Sequence, residues 1–305
     1  MDAKKIVVIG STNMDMVVKA AHLPAPGETI LGGQFFMNSG GKGANQAVAV
    51  ARLGGNISFI TKIGDDIFGK QSAELFDKEG IDTSHILIDD IAPSGVALIN
   101  VDAEGENSIV VASGANAKLS PGDVGSALEE LGEVDIILIQ LETPIETVNF
   151  AANYARQKGI LLILNPAPAS TLPAGLIKNI GIITPNEKEA EMLTGIKVED
   201  ADSAAKAANV LHNQGVDKVI ITLGSKGAFV SADGATALIP SIKVEAVDTT
   251  AAGDTFNGAL AVALSEGQDI IDAIKFACQA SSISVTRLGA QSSIPYRNEL
   301  NLIKS

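Results

Sequence analysis

Asp248-Thr249-Thr250-Ala251-Ala252-Gly253-Asp254-Thr255-Phe256-Asn257-Gly258 is the stretch whose residue types and order could do chemistry. Small residues run straight into an apolar helical pattern (Ala259, Leu260, Val262, Ala263, Leu264), and one carboxylate, Asp254, stands at the junction. A helix start offers unpaired backbone N–H groups and the positive end of a dipole, which together suit an anion. Ala251, Ala252 and Gly253 are small enough to let phosphate oxygens reach that backbone. A carboxylate beside an anion site is out of place unless it takes up a proton there. The stretch therefore reads as a cradle for a phosphoryl group in transfer, with Asp254 activating the receiving hydroxyl. The plainer alternative for Asp254 is a helix cap.

The rest of the chain must bring a donor and an acceptor to this cradle. Its polar residues fall at the carboxyl ends of apolar strands, where open α/β sheets place ligands. Lys5–Gly10 reads as a buried first strand that breaks into Ser11-Thr12-Asn13-Met14-Asp15. Asn13 and Asp15 could face a ligand there or only shape an Asx turn. A dinucleotide G-x-G-x-x-G is absent, because Thr12 and Asp15 stand where glycines are needed. Gly40-Gly41-Lys42-Gly43-Ala44-Asn45-Gln46 opens the first long helix, and it is not a P-loop. Lys42 and Asn45 offer donors to hydroxyls, the alternative being a tight packing turn. Later strands end in Glu142-Thr143-Pro144, Asn165-Pro166, Pro185-Asn186-Glu187 and Leu223-Gly224-Ser225-Lys226-Gly227. One crevice along one sheet edge is expected.

The elements that must hold this edge alternate. Strands at Ile57–Ile63, Asp135–Leu141, Ile160–Leu164, Ile182–Thr184 and Val219–Thr222 are interleaved with helical patterns. Helices are expected near Phe68–Lys78, from Ser120-Pro121 to Leu131, up to Lys158, and at Ala252–Glu266 and Asp269–Val285. The alternation predicts an α/β fold, a mostly parallel central sheet with helices on both faces. A hairpin turning at Asp233-Gly234 and a loop from Arg287 to Ser293 with a short terminal helix complete it. Residues 16–39 and 95–113 carry no helical pattern. Val17, Val18, Ile30, Leu31, Phe35 and Phe36 in the first suggest short strands around Pro24–Gly27, and the second makes another pair. Together they predict a small four-stranded β lid over the ligand edge. An isolated sheet with an apolar face needs a partner, so a homodimer contact is expected there. With no repeat or linker, residues 1–305 read as a single α/β domain carrying this insertion.

Composition narrows the function classes. The apolar fraction is 46% with only 4% aromatic, as buried parallel sheets of Val, Ile, Leu and Ala require. A net charge of −14 over 305 residues argues against a nucleic-acid surface. The one cysteine, Cys278, leaves no internal disulfide and reads as a small core residue, and no Cys/His cluster suggests zinc. The run Ile6–Ile9 after Met1–Lys5 is a strand rather than a secretory signal. No apolar run reaches the roughly 18 residues of a membrane span. A cytoplasmic protein with small-molecule partners, no nucleic acid and no membrane is expected.

Taken together, Ser11–Asp15, Gly40–Gln46, Gln140-Leu141-Glu142, Thr184–Glu187, Thr222–Gly227 and above all Asp248–Gly258 resemble the ribokinase-like (phosphofructokinase-B type) carbohydrate kinases. The resemblance spans nearly the whole chain. It implies ATP-dependent phosphorylation of the O5 hydroxyl of D-ribose to D-ribose 5-phosphate, with Asp254 as general base and Ala251, Ala252 and Gly253 as backbone anion hole. It implies sugar contacts from Asn13, Asp15, Gly41, Lys42, Asn45 and Glu142. For ATP it implies Asn186, the turn of Thr222, Gly224, Ser225, Lys226 and Gly227, Gly253, and a helix position at Cys278. A potassium site is implied at Asp248, Thr250, Ser284, Arg287, Gly289 and Ser293, several through backbone carbonyls, and Glu189 through water near Mg²⁺.

The residues leave other acceptors open: 2-deoxyribose, fructose or a nucleoside such as adenosine. A nucleoside would want an aromatic base pocket, and the chain has no Trp and only Tyr154 and Tyr296. A sugar-sensing protein without catalysis is a further alternative, against which the intact Asp254 stands.

Overall fold

Ile6 and Val8 of the first strand (β1, Lys5–Ile9) face one hydrophobic core, while Val7 and Ile9 face another. That is what a period of two produces in a strand buried on both sides. The computed structural model describes residues 4–302; Met1 to Ala3 and residues 303–305, part of the expected domain span, lie outside them.

In chain order the strands are β1, β2 (Asn13–Lys19), β3 (Gln34–Gly40), β4 (Asn56–Gly64), β5 (Ile86–Asp89), β6 (Gly95–Val101) and β7 (Asn107–Ala112). They continue as β8 (Ile136–Ile139), β9 (Leu161–Leu164), β10 (Ile182–Ile183), β11 (Lys218–Thr222), β12 (Ala228–Ala232) and β13 (Ala235–Ile239). Nine of these form one sheet, ordered β13-β12-β11-β10-β9-β8-β1-β4-β5. It is parallel from β5 to β11, with Ile6 in register with both Ile57 and Ile136, and turns antiparallel at β12, which pairs antiparallel with both β11 and β13. The expected mostly parallel sheet is present.

Helices cover both faces. On one lie α1 (Lys42–Arg52), α2 (Ile67–Lys78), α8 (Ala252–Ser265) and α9 (Ile270–Ser284). On the other lie α3 (Pro121–Leu131), α4 (Ile145–Lys158), α5 (Ala174–Ile177), α6 (Glu187–Thr194) and α7 (Ala201–Asn213). Local chemistry sets their starts. Ser120 accepts from the Asp123 N–H while the Asp123 carboxylate accepts from the Ser120 N–H, and Pro121 occupies the first turn. Helices α1 and α8 cross where Gly258 meets Gln46 and Ala49; a Cβ there would stand 2.5 Å from the Ala49 methyl. This close crossing brings the start of α8 beside α1.

The remaining strands make a separate four-stranded sheet, β3-β2-β6-β7, which is the expected lid. Its boundaries differ from the sequence reading at one end. The first lid strand begins at Asn13 rather than near residue 16, so Asn13 and Asp15 lie within β2 instead of in the break that follows β1. Pairing on both sides, to β3 and to β6, overrides the turn preference of Asn and Asp. Ile30 and Leu31 lie outside any strand, in a stretch with Pro24, Pro26, Gly32 and Gly33. β5 adds an edge to the large sheet that the sequence did not announce. No helix among the described residues is long and apolar enough to cross a membrane.

Candidate active site

Asp254 sits in the first turn of α8 and is only 6% exposed. No side chain caps this helix, and its first intrahelical bond is Thr255 N–H to the Ala251 carbonyl. The N–H groups of Gly253 and Asp254 therefore precede the helical ladder and remain for a ligand. Ala251 takes the left-handed conformation (φ 59°), which costs a non-glycine residue about 1–2 kcal/mol and points to a tightly imposed turn. A Cβ on Gly253 would meet nothing within 4 Å, so the helix end opens onto space where an anion fits. Of the three expected anion-hole amides, that of Ala252 is turned back to the Thr249 carbonyl at 3.2 Å.

Helix α1 supplies the partners of Asp254. Asn45 donates its Nδ2 to Oδ2 at 2.9 Å, and Gln46 donates its Nε2 to Oδ1 at 3.0 Å. Gln46 is itself fixed: the same nitrogen reaches Asn165 Oδ1, and its Oε1 accepts from Gln140 Nε2. On the far side Thr184 donates to Asn257 Oδ1, and Asn257 donates to the Gly253 carbonyl. A continuous buried amide network thus holds both the base and the turn of the cradle. Burial pushes the Asp254 carboxyl above its ordinary value, opposed by the Lys42 charge and the two amide donors. A carboxylate poised in this way suits a general base.

Around Lys42 burial and charge oppose each other. Burial acts to lower its ammonium, but Asp254, Glu142, Glu189 and Asp15 together outweigh it and hold the group above its ordinary value. Glu142 accepts from the Lys42 N–H at 3.0 Å and from the Ser11 hydroxyl. The turn before α1 has no room for side chains. Gly41 has φ 90°, and a Cβ on Gly43 would stand 2.5 Å from the backbone of Gly10 and Ser11. The glycines thus let α1 touch the end of β1, combining the packing and the binding readings of this turn.

A cavity of about 330 Å³ opens between the lid and the strand ends, lined by Asn13 and Glu142 with Val111, Ser113, Asn116 and Thr143 among others. Its size fits a small polar ligand. Asp15 lies on the same face of β2 as Asn13; burial chiefly, then Glu142 and Asp254, push its carboxyl up to about 7 against the pull of Lys42. Asn116, which the sequence did not single out, is 2% exposed and touches Asn13. Its only local signal is a polar residue in the turn that follows the lid hairpin.

The other end of the crevice is built from Asn186 and the turn after β11. Asn186 caps α6 in a reciprocal pair with Glu189, whose Oε2 accepts the Asn186 N–H at 2.8 Å. Burial raises the Glu189 carboxyl against that bond. Asn186 also bridges to Thr222, and the loop Gly224-Ser225-Lys226 closes through Leu223 N–H to the Gly227 carbonyl. Gly227 is required: a Cβ would fall 2.0 Å from the Ile239 carbonyl. Cys278 on α9 is buried, and that burial pushes its thiol up to about 11, so it packs rather than reacts. Next to it, Ser281 ties α9 to the cradle by donating to the Ala252 carbonyl at 3.0 Å.

Asp248 ties together the two loops at the expected cation site. Its Oδ1 accepts the Thr250 N–H and hydroxyl, and its Oδ2 accepts the Gly289 N–H at 2.9 Å. Burial works to raise this carboxyl, but those donors prevail and hold it low. The side chains of Ser284, Ser293 and Arg287 are engaged elsewhere, with the carbonyls of Ser281 and Ala290 and with Glu299. A donating hydroxyl keeps its lone pairs, so the Ser284 and Ser293 oxygens as well as backbone carbonyls could join Asp248 around an ion, whereas the Arg287 guanidinium could not. One carboxylate among neutral oxygens fits a monovalent cation. Among the described residues no three His, Cys, Asp or Glu side chains converge as a cage for a divalent metal.

Comparison with known proteins matches residues 3–297 to the pfkB family carbohydrate kinase. The chain is 49% identical to a ribokinase of Haemophilus influenzae over 97% of both chains. It is 39% identical to a deoxyribokinase of Salmonella typhimurium, again over 97% of each. Among solved structures, Arabidopsis thaliana ribokinase complexed with ribose and ATP superposes with a TM-score of 0.92 at 34% identity, covering 98% of both chains. With its fold and nearly its full length matching, this chain belongs to the pfkB family of carbohydrate kinases.

Proposed function

We propose that this protein transfers the γ-phosphoryl group of ATP to the O5 hydroxyl of D-ribose, giving D-ribose 5-phosphate and ADP. The observation that carries the reading is Asp254, a buried carboxylate held by Asn45 and Gln46 at an uncapped helix start. Asp254 takes the hydroxyl proton while the sugar oxygen bonds to the γ-phosphorus. The bond from that phosphorus to the bridging oxygen breaks, and ADP leaves. The first-turn N–H groups of α8 stabilise the charge that spreads over the phosphoryl oxygens. Asn13, Asp15, Gly41, Lys42, Asn45 and Glu142 hold the sugar; Asn186, the Thr222–Gly227 turn and the wall of α9 at Cys278 hold the nucleotide.

The remaining assignments follow the same reading. Glu189 would face, through water, an Mg²⁺ ion bound with ATP, which would screen phosphate charge there. Asp248 and the neighbouring oxygens would hold K⁺, whose charge would steady the loop that leads into the cradle. Residues 1–305 act as one α/β domain whose lid closes the sugar cavity and pairs with a second copy, in the cytoplasm where ATP is at hand.

A second reading, 2-deoxyribose as acceptor, is favoured by the similarity to a deoxyribokinase. A coupled assay of ADP release over ribose, 2-deoxyribose, fructose and adenosine separates them. Strong preference for ribose is expected, because a site built to bind a hydroxyl leaves buried groups unpaired when it is missing. Preference for another acceptor overturns the ribose assignment. Turnover with none overturns the kinase reading in favour of a sugar sensor.

A further inference from the structure

Asn116 lies outside every strand and helix of the large sheet, in the single 3₁₀ turn Gly114–Lys118 that follows the lid hairpin. Its side-chain amide is bound on all sides by groups of known polarity. The Thr12 N–H donates to its Oδ1 at 2.9 Å, and its Nδ2 donates to the Thr12 carbonyl at 3.0 Å. A backbone N–H can only donate and a backbone carbonyl can only accept, so these two bonds fix which way the Asn116 amide points. The second hydrogen of the same Nδ2 is directed at Asn13, 2.8 Å from Oδ1. Asn13 must therefore present its oxygen to Asn116, and its own Nδ2 is the group left for the cavity that both residues line.

We propose that Asn116 is a positioning residue for the sugar: it locks the Asn13 amide with the nitrogen toward the substrate, so that Asn13 serves the sugar as a donor only. The hydroxyl that meets Asn13 must accept there, and it donates its own hydrogen bond to a neighbouring carboxylate. Asp15 and Glu142 are the acceptors of opposite kind at this end of the crevice, so the site imposes a directed pattern of hydroxyl hydrogen bonds. The lock also joins two parts of the chain. Thr12 and Asn13 lead from β1 into the lid, and Asn116 follows the lid's last strand. Gly95, at the start of β6, is where they press together: a Cβ there would fall 2.1 Å from Asn13 Oδ1 and 2.3 Å from Asn116 Nδ2. Donor orientation at the sugar and seating of the lid hairpin are thus set by one amide.

The inference rests on the sugar-kinase reading. The test is a mutant cycle on the full chain, Asn116→Asp, Asn13→Ala and both together, with steady-state constants for sugar and ATP and melting temperature for each. In Asn116→Asp the new carboxylate can only accept, so it draws the Asn13 nitrogen away from the cavity. Sugar KM should rise at least about tenfold, the worth of one uncharged hydrogen bond left unmade in a buried site. ATP KM should stay within about twofold, and adding Asn116→Asp to Asn13→Ala should change sugar KM by less than about twofold, since the two act through one group. Unchanged sugar KM in Asn116→Asp, or the same multiplicative loss on the Asn13→Ala background, overturns the proposal. If the aspartate variant does not fold, Asn116→Ala decides by the same cycle. A parent protein that phosphorylates no sugar overturns the kinase reading instead.

Discussion

Gln46 and Asp254 lie 208 residues apart in sequence and 3.0 Å apart in space, joined by the Gln46 Nε2 donated to Asp254 Oδ1. With Asn45 on the other oxygen, both ends of the carboxylate are held by neutral donors, and its remaining lone pairs are the ones a sugar hydroxyl can reach. Replacing the base by its amide keeps size and removes proton uptake. Asp254→Asn should bind ribose and ATP, measured calorimetrically, yet lose at least about a hundredfold in turnover. Turnover near that of the parent would remove Asp254 from the mechanism.

Gln46→Leu tests the support rather than the base. The Gln46 donor favours the ionised form of Asp254, so its loss lets burial raise that carboxyl further. A base must be ionised to act, so the acid limb of the kcat profile should move to higher pH. At neutral pH turnover should fall on the order of tenfold, the scale of one hydrogen bond to a charged group. A fall in kcat with an unmoved acid limb would leave Gln46 a packing role only.

What could be read from the sequence follows from the range of the forces involved. The start of α3 was legible because Ser120, Pro121 and Asp123 act within one turn, and the β12–β13 hairpin because Asp233-Gly234 does. Alternating βα patterns announced a parallel sheet but not its order, since neither β8 beside β1 nor β5 at the edge leaves a local trace. Asn13 and Asp15 could be placed just past β1, but not within a strand, because their intrinsic preference is local, whereas their strand is made by β3 and β6 on either side. Asp254 could be found from its neighbours in sequence. Gln46, Asn165 and Asn116 act on the site across contacts of 103 residues or more, which no spacing rule encodes.

Asp15 makes stability depend on pH. Its carboxyl is pushed up to about 7 in the fold, mainly by burial with Glu142 and Asp254 adding to it. In the unfolded chain it ionises near its ordinary value of about 3.9. Between the two the folded state holds the extra proton, so this group's contribution is complete below about pH 4 and is lost as pH rises through about 7. Asp15→Asn should flatten the fall in melting temperature over that window and melt higher than the parent at pH 8. Parallel pH curves for the two proteins would show that Asp15 is ionised in the fold.

Asp248 pins Thr250, two residues ahead of α8, to Gly289, beyond α9, so an ion bound there would bear on the cradle. Replacing a bulky organic cation by K⁺ should raise kcat/KM at least about fivefold, the lower end of typical coupling between two sites. Asp248→Ala should lose that response while keeping measurable basal turnover. An equal response in parent and variant would move the cation effect to another place.

The outward face of the lid carries Met37, Leu98 and Val110 in one cross-strand row with Met16, and they are 47%, 51% and 65% exposed. Phe35, one row along on the same face, is 61% exposed. A four-stranded sheet with this much apolar surface in water is stabilised by covering it, and a second copy of the same lid offers a matching face. The parent should sediment as a dimer at micromolar concentration. Leu98→Asp combined with Val110→Asp places two carboxylates from each copy into the contact, where burying an unpaired charge costs several kcal/mol. That variant should sediment as a monomer with its melting transition preserved, since neither side chain packs in the two main cores. A monomeric parent would overturn the dimer, and a variant still dimeric would place the subunit contact away from the lid.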